Sequence, residues 1–162
     1  MKRLVVGAVM VFITAVAISS AQAQCKSVNG HITSELVEVF SNGAQCPSPI
    51  SLCTEGRFIG GLKGEFTFVA QTLNPTGAVP DVAFTIGEIQ LSSNQCDGTL
   101  ILTDTSAFSL SPDGQFGGLQ TVDGDASTGD CNEASGRLRV FGVFIGGCVD
   151  CTYRGEICIN DD

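Results

Sequence analysis

Beyond residue 24 the apolar residues never settle into a sustained 3.6-residue period. They come in short alternating or continuous runs, broken by Gly, Asn, Asp and Pro. That is the pattern of strands joined by turns. Eight strands are predicted, over residues 32–40, 57–73, 82–91, 99–103, 107–110, 116–122, 137–145 and 151–159. The second is long, bent at Gly60-Gly61 and again near Gly64. Within it Phe66, Phe68 and Ala70 share one face, and Glu65, Thr67, Val69 and Gln71 the other. Ser111-Pro112-Asp113-Gly114 is a turn in which Pro presets φ and Gly accepts a positive one. Short links between this many strands favour antiparallel neighbours and closure. Gly60, Gly61, Gly64, Gly87 and Gly142 lie inside strand runs, where glycine relieves crowding in a sharply coiled sheet. The expected fold is therefore all-β, a single antiparallel eight-stranded β-barrel. A barrel of the outer-membrane kind is excluded: with no Trp and one Tyr there are no aromatic girdles, and cysteines are dense.

The first residues read differently. Lys2 and Arg3 precede an uncharged, almost wholly apolar run from Leu4 to Ile18, and Ala21-Gln22-Ala23 has the small-residue spacing of a signal-peptidase site. Residues 1–23 are expected to be a signal peptide, because the run is short for a span that needs about 20 apolar residues. A cut after Ala23 of the 162-residue chain leaves 139 residues and takes the net charge from −9 to −11. Residues 24–52 then form an N-terminal strand and a Pro-containing loop, continuous with the barrel of 53–162 in one domain. The expected localisation is secreted or periplasmic. Such an acidic chain does not suit nucleic acid, which calls for a basic surface, and it discourages contact with anionic membranes once the signal is gone.

All eight cysteines, Cys25, Cys46, Cys53, Cys96, Cys131, Cys148, Cys151 and Cys158, lie in the exported part. An even count behind an export signal predicts a disulfide framework with no free thiol. In a closed barrel the first and last strands are neighbours. Cys53 precedes the first long β segment and Cys158 ends the last, so Cys53–Cys158 is the expected long-range bridge, with Cys25–Cys46 at the N-terminal side. The other four are left unpaired by this argument. Cys148-Val149-Asp150-Cys151 has the spacing of a redox pair, but no helix N-terminus is expected there to lower a thiolate pKa. A zinc knuckle would lack ligands beyond Cys158 and His31, the only histidine. Structural disulfides near a hairpin tip are the expected role.

Three charged residues stand out within apolar strands. Glu88 is in step with Phe84 and Ile86, so if that face lines the barrel it is a carboxylate in a dry cavity, with a raised pKa and a capacity for acid or base work. Asp104 could share the cavity mouth. Arg139, between Leu138 and Val140, could pair with either or polarise a ligand oxygen. The competing role for all three is a structural ion-pair network. The loop 123–133 sets Asp123, Asp125 and Asp130 at calcium-like spacings, but Thr128 stands where an EF-hand needs Gly and Ala134 where it needs Glu. It is expected to be a solvated hairpin loop, with calcium as the minor alternative. No nucleophile elbow, Walker loop or dinucleotide fingerprint is present.

Three stretches together carry a resemblance. They are Gly56-Arg-Phe-Ile-Gly-Gly-Leu-Lys-Gly-Glu-Phe-Thr-Phe68; Phe84-Thr-Ile-Gly-Glu-Ile89 with Asp104 and Ala107-Phe108; and Thr128-Gly129, Ala134-Ser-Gly-Arg-Leu-Arg-Val-Phe-Gly142 and Tyr153-Arg-Gly-Glu-Ile-Cys158. From about Cys53 to Cys158 the chain resembles bacterial secreted relatives of the allene oxide cyclase and dirigent barrels. The resemblance implies an eight-stranded antiparallel barrel with a central cavity and no cofactor. Its members isomerise a bound hydrophobic substrate or steer a coupling reaction. The chain departs from that pattern at Asp130-Cys131-Asn132, where an aromatic normally follows Thr-Gly, and a disulfide is the expected local anchor. Three functions follow: binding or steering of a small hydrophobic ligand in the lumen; an isomerase or cyclase using Glu88; or an extracellular structural module with a filled core. The lumen separates them. A cavity of about 300 Å³ or more supports ligand handling, and a lumen packed with Phe supports the module.

Overall fold

A computed structural model describes residues 23–77 and 81–160. The expected signal peptide, 1–23, lies outside the described residues except for its last. Eight strands run in chain order: β1 (Ala23–Leu36), β2 (Cys53–Gly60), β3 (Gly64–Pro75), β4 (Val82–Ser93), β5 (Leu100–Ser109), β6 (Gln115–Asp123), β7 (Ser135–Ile145) and β8 (Cys148–Asn160). Each pairs antiparallel with its sequence neighbours, and β1 closes on β8 from Ala23↔Asn160 to Glu35↔Cys148. The chain is thus an up-and-down closed barrel, all-β and reinforced by disulfides.

The strand number agrees with the sequence pattern through two compensating differences. The predicted strand 57–73 is two strands, because Gly60 has φ +117 and the chain reverses over Gly61-Leu62-Lys63. The predicted strands 99–103 and 107–110 are one, because the polar Asp104, Thr105 and Ser106 continue the β5 ladder against β6. The first strand also begins earlier than residue 32. Lys26, Ser27 and Asn29 are exposed while Val28 and Ile32 point inward, so a polar outer face concealed it.

The chain reversals alternate between two ends. One end carries the β2–β3, β4–β5 and β6–β7 connections together with both chain ends of the barrel. Here Leu62, at the β2–β3 reversal, folds inward and is wholly buried. The single tyrosine fixes it: the Leu62 N–H donates to Tyr153 Oη at 2.7 Å, and that hydroxyl donates to the Leu62 carbonyl at 2.9 Å. Phe58 packs edge-on against Phe66 and tilted against Tyr153, each pair with centroids 5.2 Å apart. Leu91, Leu100, Leu102, Leu138 and Ile157 fill the remaining space. The other end carries the long β1–β2 connection, the β5–β6 turn and the β7–β8 hairpin at Gly146-Gly147.

Three disulfides are present, and the two expected pairings are not among them. Cys25 bonds Cys158, Cys46 bonds Cys53, and Cys96 bonds Cys131. The last strand does neighbour the first, but the first is β1, where Cys25 lies directly across from Cys158. Cys53 instead closes a short loop onto Cys46. Cys96–Cys131 ties the β4–β5 and β6–β7 loops, which gives the expected anchor at Cys131. Two thiols stay free, Cys148 exposed and Cys151 buried, against the expectation of none. Residues three apart on a strand face opposite sides, so Cys148 and Cys151 make neither a redox pair nor a hairpin-tip bridge. Three disulfides suit an oxidising, extracellular-type compartment. No helix among the described residues is long and apolar enough to cross a membrane.

Candidate functional site: the open half of the lumen

At the end opposite Leu62 the inward side chains do not meet. They leave a cavity of about 110 Å³. Six of the chain's ten phenylalanines line it: Phe58 and Phe66 on its floor, Phe68 beside them, and Phe108, Phe116 and Phe144 toward the opening. Phe108, Phe116, Phe144 and Val149 are half-buried, so the cavity reaches solvent between them. Leu52 closes one side, held by the Cys46–Cys53 loop and by Ser48, whose hydroxyl donates to the Ala70 carbonyl at 2.6 Å.

One wall is polar. Strict alternation along β4 turns Ala83, Thr85, Gly87, Ile89 and Leu91 inward. On β5, Asp104 and Ser106 point inward, and on β6 Gln120 does. The strand register gathers them, since Thr85 lies across from Ser106 and Asp104 across from Gln120. The Ser106 hydroxyl donates to Asp104 Oδ2 at 2.8 Å, and Gln120 Nε2 donates to Asp104 Oδ1 at 3.3 Å. Asp104 is 5% exposed, and its pKa is raised by that burial, only partly opposed by the Ser106 and Gln120 hydrogen bonds. Thr85 Oγ1 and Gln120 Oε1 are buried without a hydrogen-bond partner. Glycine makes room here: a Cβ on Gly118, opposite Ser106, would overlap the Ser106 hydroxyl.

Of the three charged candidates, only Asp104 lies in the lumen. Glu88 does share a face with Phe84 and Ile86, but that face is the outer one, and Glu88 accepts a hydrogen bond from Gln90 Nε2 at 3.0 Å in solvent. Arg139 is also on the outer wall, across from Arg154, and reaches neither Glu88 nor Asp104. The three therefore form neither a catalytic group nor an ion-pair network. Asp123, Asp125 and Asp130 do not converge. Among the described residues the only three His, Cys, Asp or Glu ligand atoms within 4.8 Å of one another belong to Cys25, Glu156 and Cys158, and its two sulfurs are spent in a disulfide. Asp123 instead accepts from the Ala126 N–H at 3.1 Å, as a turn residue does. His31 is exposed on β1.

Thr85, Ser106 and Gln120 were missed from the sequence, and Cys151 was read there as a disulfide cysteine. The signal for the first three was parity with Asp104 across paired strands, which needs the register. Cys151 lines the same cavity, and its thiol is pushed up to about 12 by burial, then by the negative charges of Asp150 and Asp104. Such a thiol is not a nucleophile near neutral pH.

Comparison with known proteins gave no match to any family, to any curated protein or to any solved structure.

Proposed function

We propose that this is an exported barrel that binds a small hydrophobic ligand, without a cofactor, in the open half of its lumen. The observation that carries the reading is an apolar cavity with one polar wall, open at one end and unfilled although the other end is tightly packed. Its volume limits the ligand. About 110 Å³ falls short of the roughly 300 Å³ of ordinary small-molecule sites, and is nearer the scale of an engineered apolar cavity of ~150 Å³ that takes up benzene. A single-ring or short branched molecule is the right size. The resemblance to allene oxide cyclase and dirigent barrels points the same way, and the signal-like start together with three disulfides supports export.

A second reading has one observation in its favour. A desolvated carboxyl facing a cavity is the group an isomerase would use as acid or base, and that group is Asp104, not Glu88. The structural-module reading draws on the packed half and on the six phenylalanines.

The test is uptake of toluene by the exported protein, followed by NMR shifts of Phe108, Phe116 and Val149, alongside native mass spectrometry for a co-purified small molecule. Saturable shifts confined to these residues are expected, and Val149→Trp, which obstructs the opening, should abolish them with the fold intact. A protein that takes up no toluene and carries no small molecule would leave the filled structural module.

A further inference from the structure

The polar wall of the lumen is unbalanced in a way that a neutral hydrocarbon does not correct. Asp104 accepts from Ser106 and from Gln120, which uses the hydroxyl proton of one and an amide proton of the other. The two buried atoms without partners beside it are also oxygens, Thr85 Oγ1 and Gln120 Oε1. Gln120 Oε1 can only accept, the Thr85 hydroxyl can accept as well as donate, and Thr85 is 7% and Gln120 5% exposed. The wall therefore offers a carboxyl, an unanswered amide oxygen and an unanswered hydroxyl, and is richer in acceptor sites than in donors. It also lacks a positive charge. Among the described residues no Lys, Arg or His lines the cavity. From β4, Gly87 stands opposite Asp104, and the charged Glu88 next to it points outward; from β6 the facing residue is Gln120; from β8 it is Cys151, the cavity's other titratable group.

We propose that the lumen selects a small hydrophobic amine, with its ammonium group held on Asp104, Gln120 Oε1 and Thr85 Oγ1 and its apolar body among the phenylalanines. This rests on the ligand-binding reading above and names the ligand's chemistry. An ammonium group brings three donors and the missing charge, which the carboxylate and the two neighbouring oxygens can accept. A hydroxyl brings one donor. A carboxylate brings none and meets Asp104 as a like charge. The walls agree, because Phe68, Phe108 and Phe116 line the cavity and aromatic rings attract a cation in a desolvated site. The net charge of the chain draws cations toward it. The bound ammonium also competes with a proton for Asp104. Burial already favours the protonated carboxyl, so amine binding should weaken as pH falls through the Asp104 pKa, while binding of a neutral ring should not.

Three molecules of one size decide it: benzylamine, benzyl alcohol and benzoate, titrated by NMR into the exported protein at neutral pH, with toluene as the neutral reference. Benzylammonium should bind roughly tenfold or more tighter than benzyl alcohol, the scale of a desolvated cation on aromatic faces plus a charge-assisted hydrogen bond. Benzoate should bind least. Acidification should weaken benzylamine alone. Asp104→Asn should erase the preference for the amine while benzyl alcohol still binds, and Glu88→Gln, on the outer wall, should leave it intact. If Asp104→Asn does not fold, the wild-type ratio and its pH dependence decide alone. Benzyl alcohol or toluene binding as tightly as benzylamine would overturn the amine assignment and leave the ligand-binding reading standing. No binding of any of the four would overturn both.

Discussion

The two ends of the lumen are built on the same alternation and come out differently. Toward Leu62 the inward positions are Leu91, Leu100, Leu102, Leu138 and Ile157, branched side chains that interlock across the axis. Toward the opening they are Thr85, Asp104, Ser106 and Gln120 along β4–β6, faced by planar Phe rings. Small polar groups on one side and flat rings on the other cannot interdigitate, so a void remains. The covalent reinforcement follows the same division. Cys25–Cys158 and Cys96–Cys131 sit at the packed end, and the opening has only the local Cys46–Cys53 loop. One end is made for stability, and the other keeps polar groups whose removal a purely structural barrel would tolerate.

That contrast can be broken most severely at the packed end. Leu138→Ala, at a wholly buried site, should lower stability by about 2–5 kcal/mol in chemical denaturation, whereas Phe144→Leu at the half-buried opening should lower it by less than about 1.5 kcal/mol. Equal losses would mean that the two ends are one core. Replacing both Cys96 and Cys131 by Ala should lower stability by about 2–4 kcal/mol, through the greater freedom of the unfolded chain.

Asp104 sharpens the contrast with the opposite sign. Asp104→Asn removes a carboxyl whose ionised form is poorly solvated, and the new amide can donate to Gln120 Oε1. It should raise the melting temperature near neutral pH by about 2–5 °C. The pH dependence follows from the raised pKa. The folded state holds the Asp104 proton more tightly than the unfolded chain does, so this residue favours folding fully below its ordinary value of 3.8 and loses that contribution as pH rises through the raised value. The advantage of Asp104→Asn should therefore vanish on acidification. The smallest effect is expected at Glu88→Gln on the outer wall, within about 0.5 kcal/mol. Thiol titration adds a count: two reactive thiols per unfolded, unreduced chain, with Cys148 alone reacting in the folded state.

Closure and strand direction could be read from the sequence, because period-two runs and Gly-rich turns recur over the whole chain. Phe66 and Ala70 were also correctly paired on one face, and it is the inner one. The facing of β4 was not legible. Phe84 and Ile86 are the bulkiest residues of their half of the strand, and bulk argues for the inside. Yet a narrow barrel has room there for Ala83, Thr85 and Gly87, and exposed apolar side chains on an outer wall are ordinary. That one inversion displaced the candidate carboxyl from Asp104 to Glu88. The disulfides failed for a different reason. The rule that the last strand meets the first was sound, but β1 began at a polar run that does not look like a strand. The split fate of Cys148 and Cys151, by contrast, was available from strand periodicity alone.

The bond between Cys25 and Cys158 spans 133 positions of sequence and joins the two edges of the sheet at its seam. In covalent terms the barrel between these two cysteines is a ring. A protease that cuts once in any loop between these cysteines, such as Ser111-Pro112-Asp113-Gly114, opens the ring into a line and releases no fragment. The nicked protein keeps every strand tethered at the seam, and a circular permutant with its ends in that turn is already present in the chemistry of the native molecule.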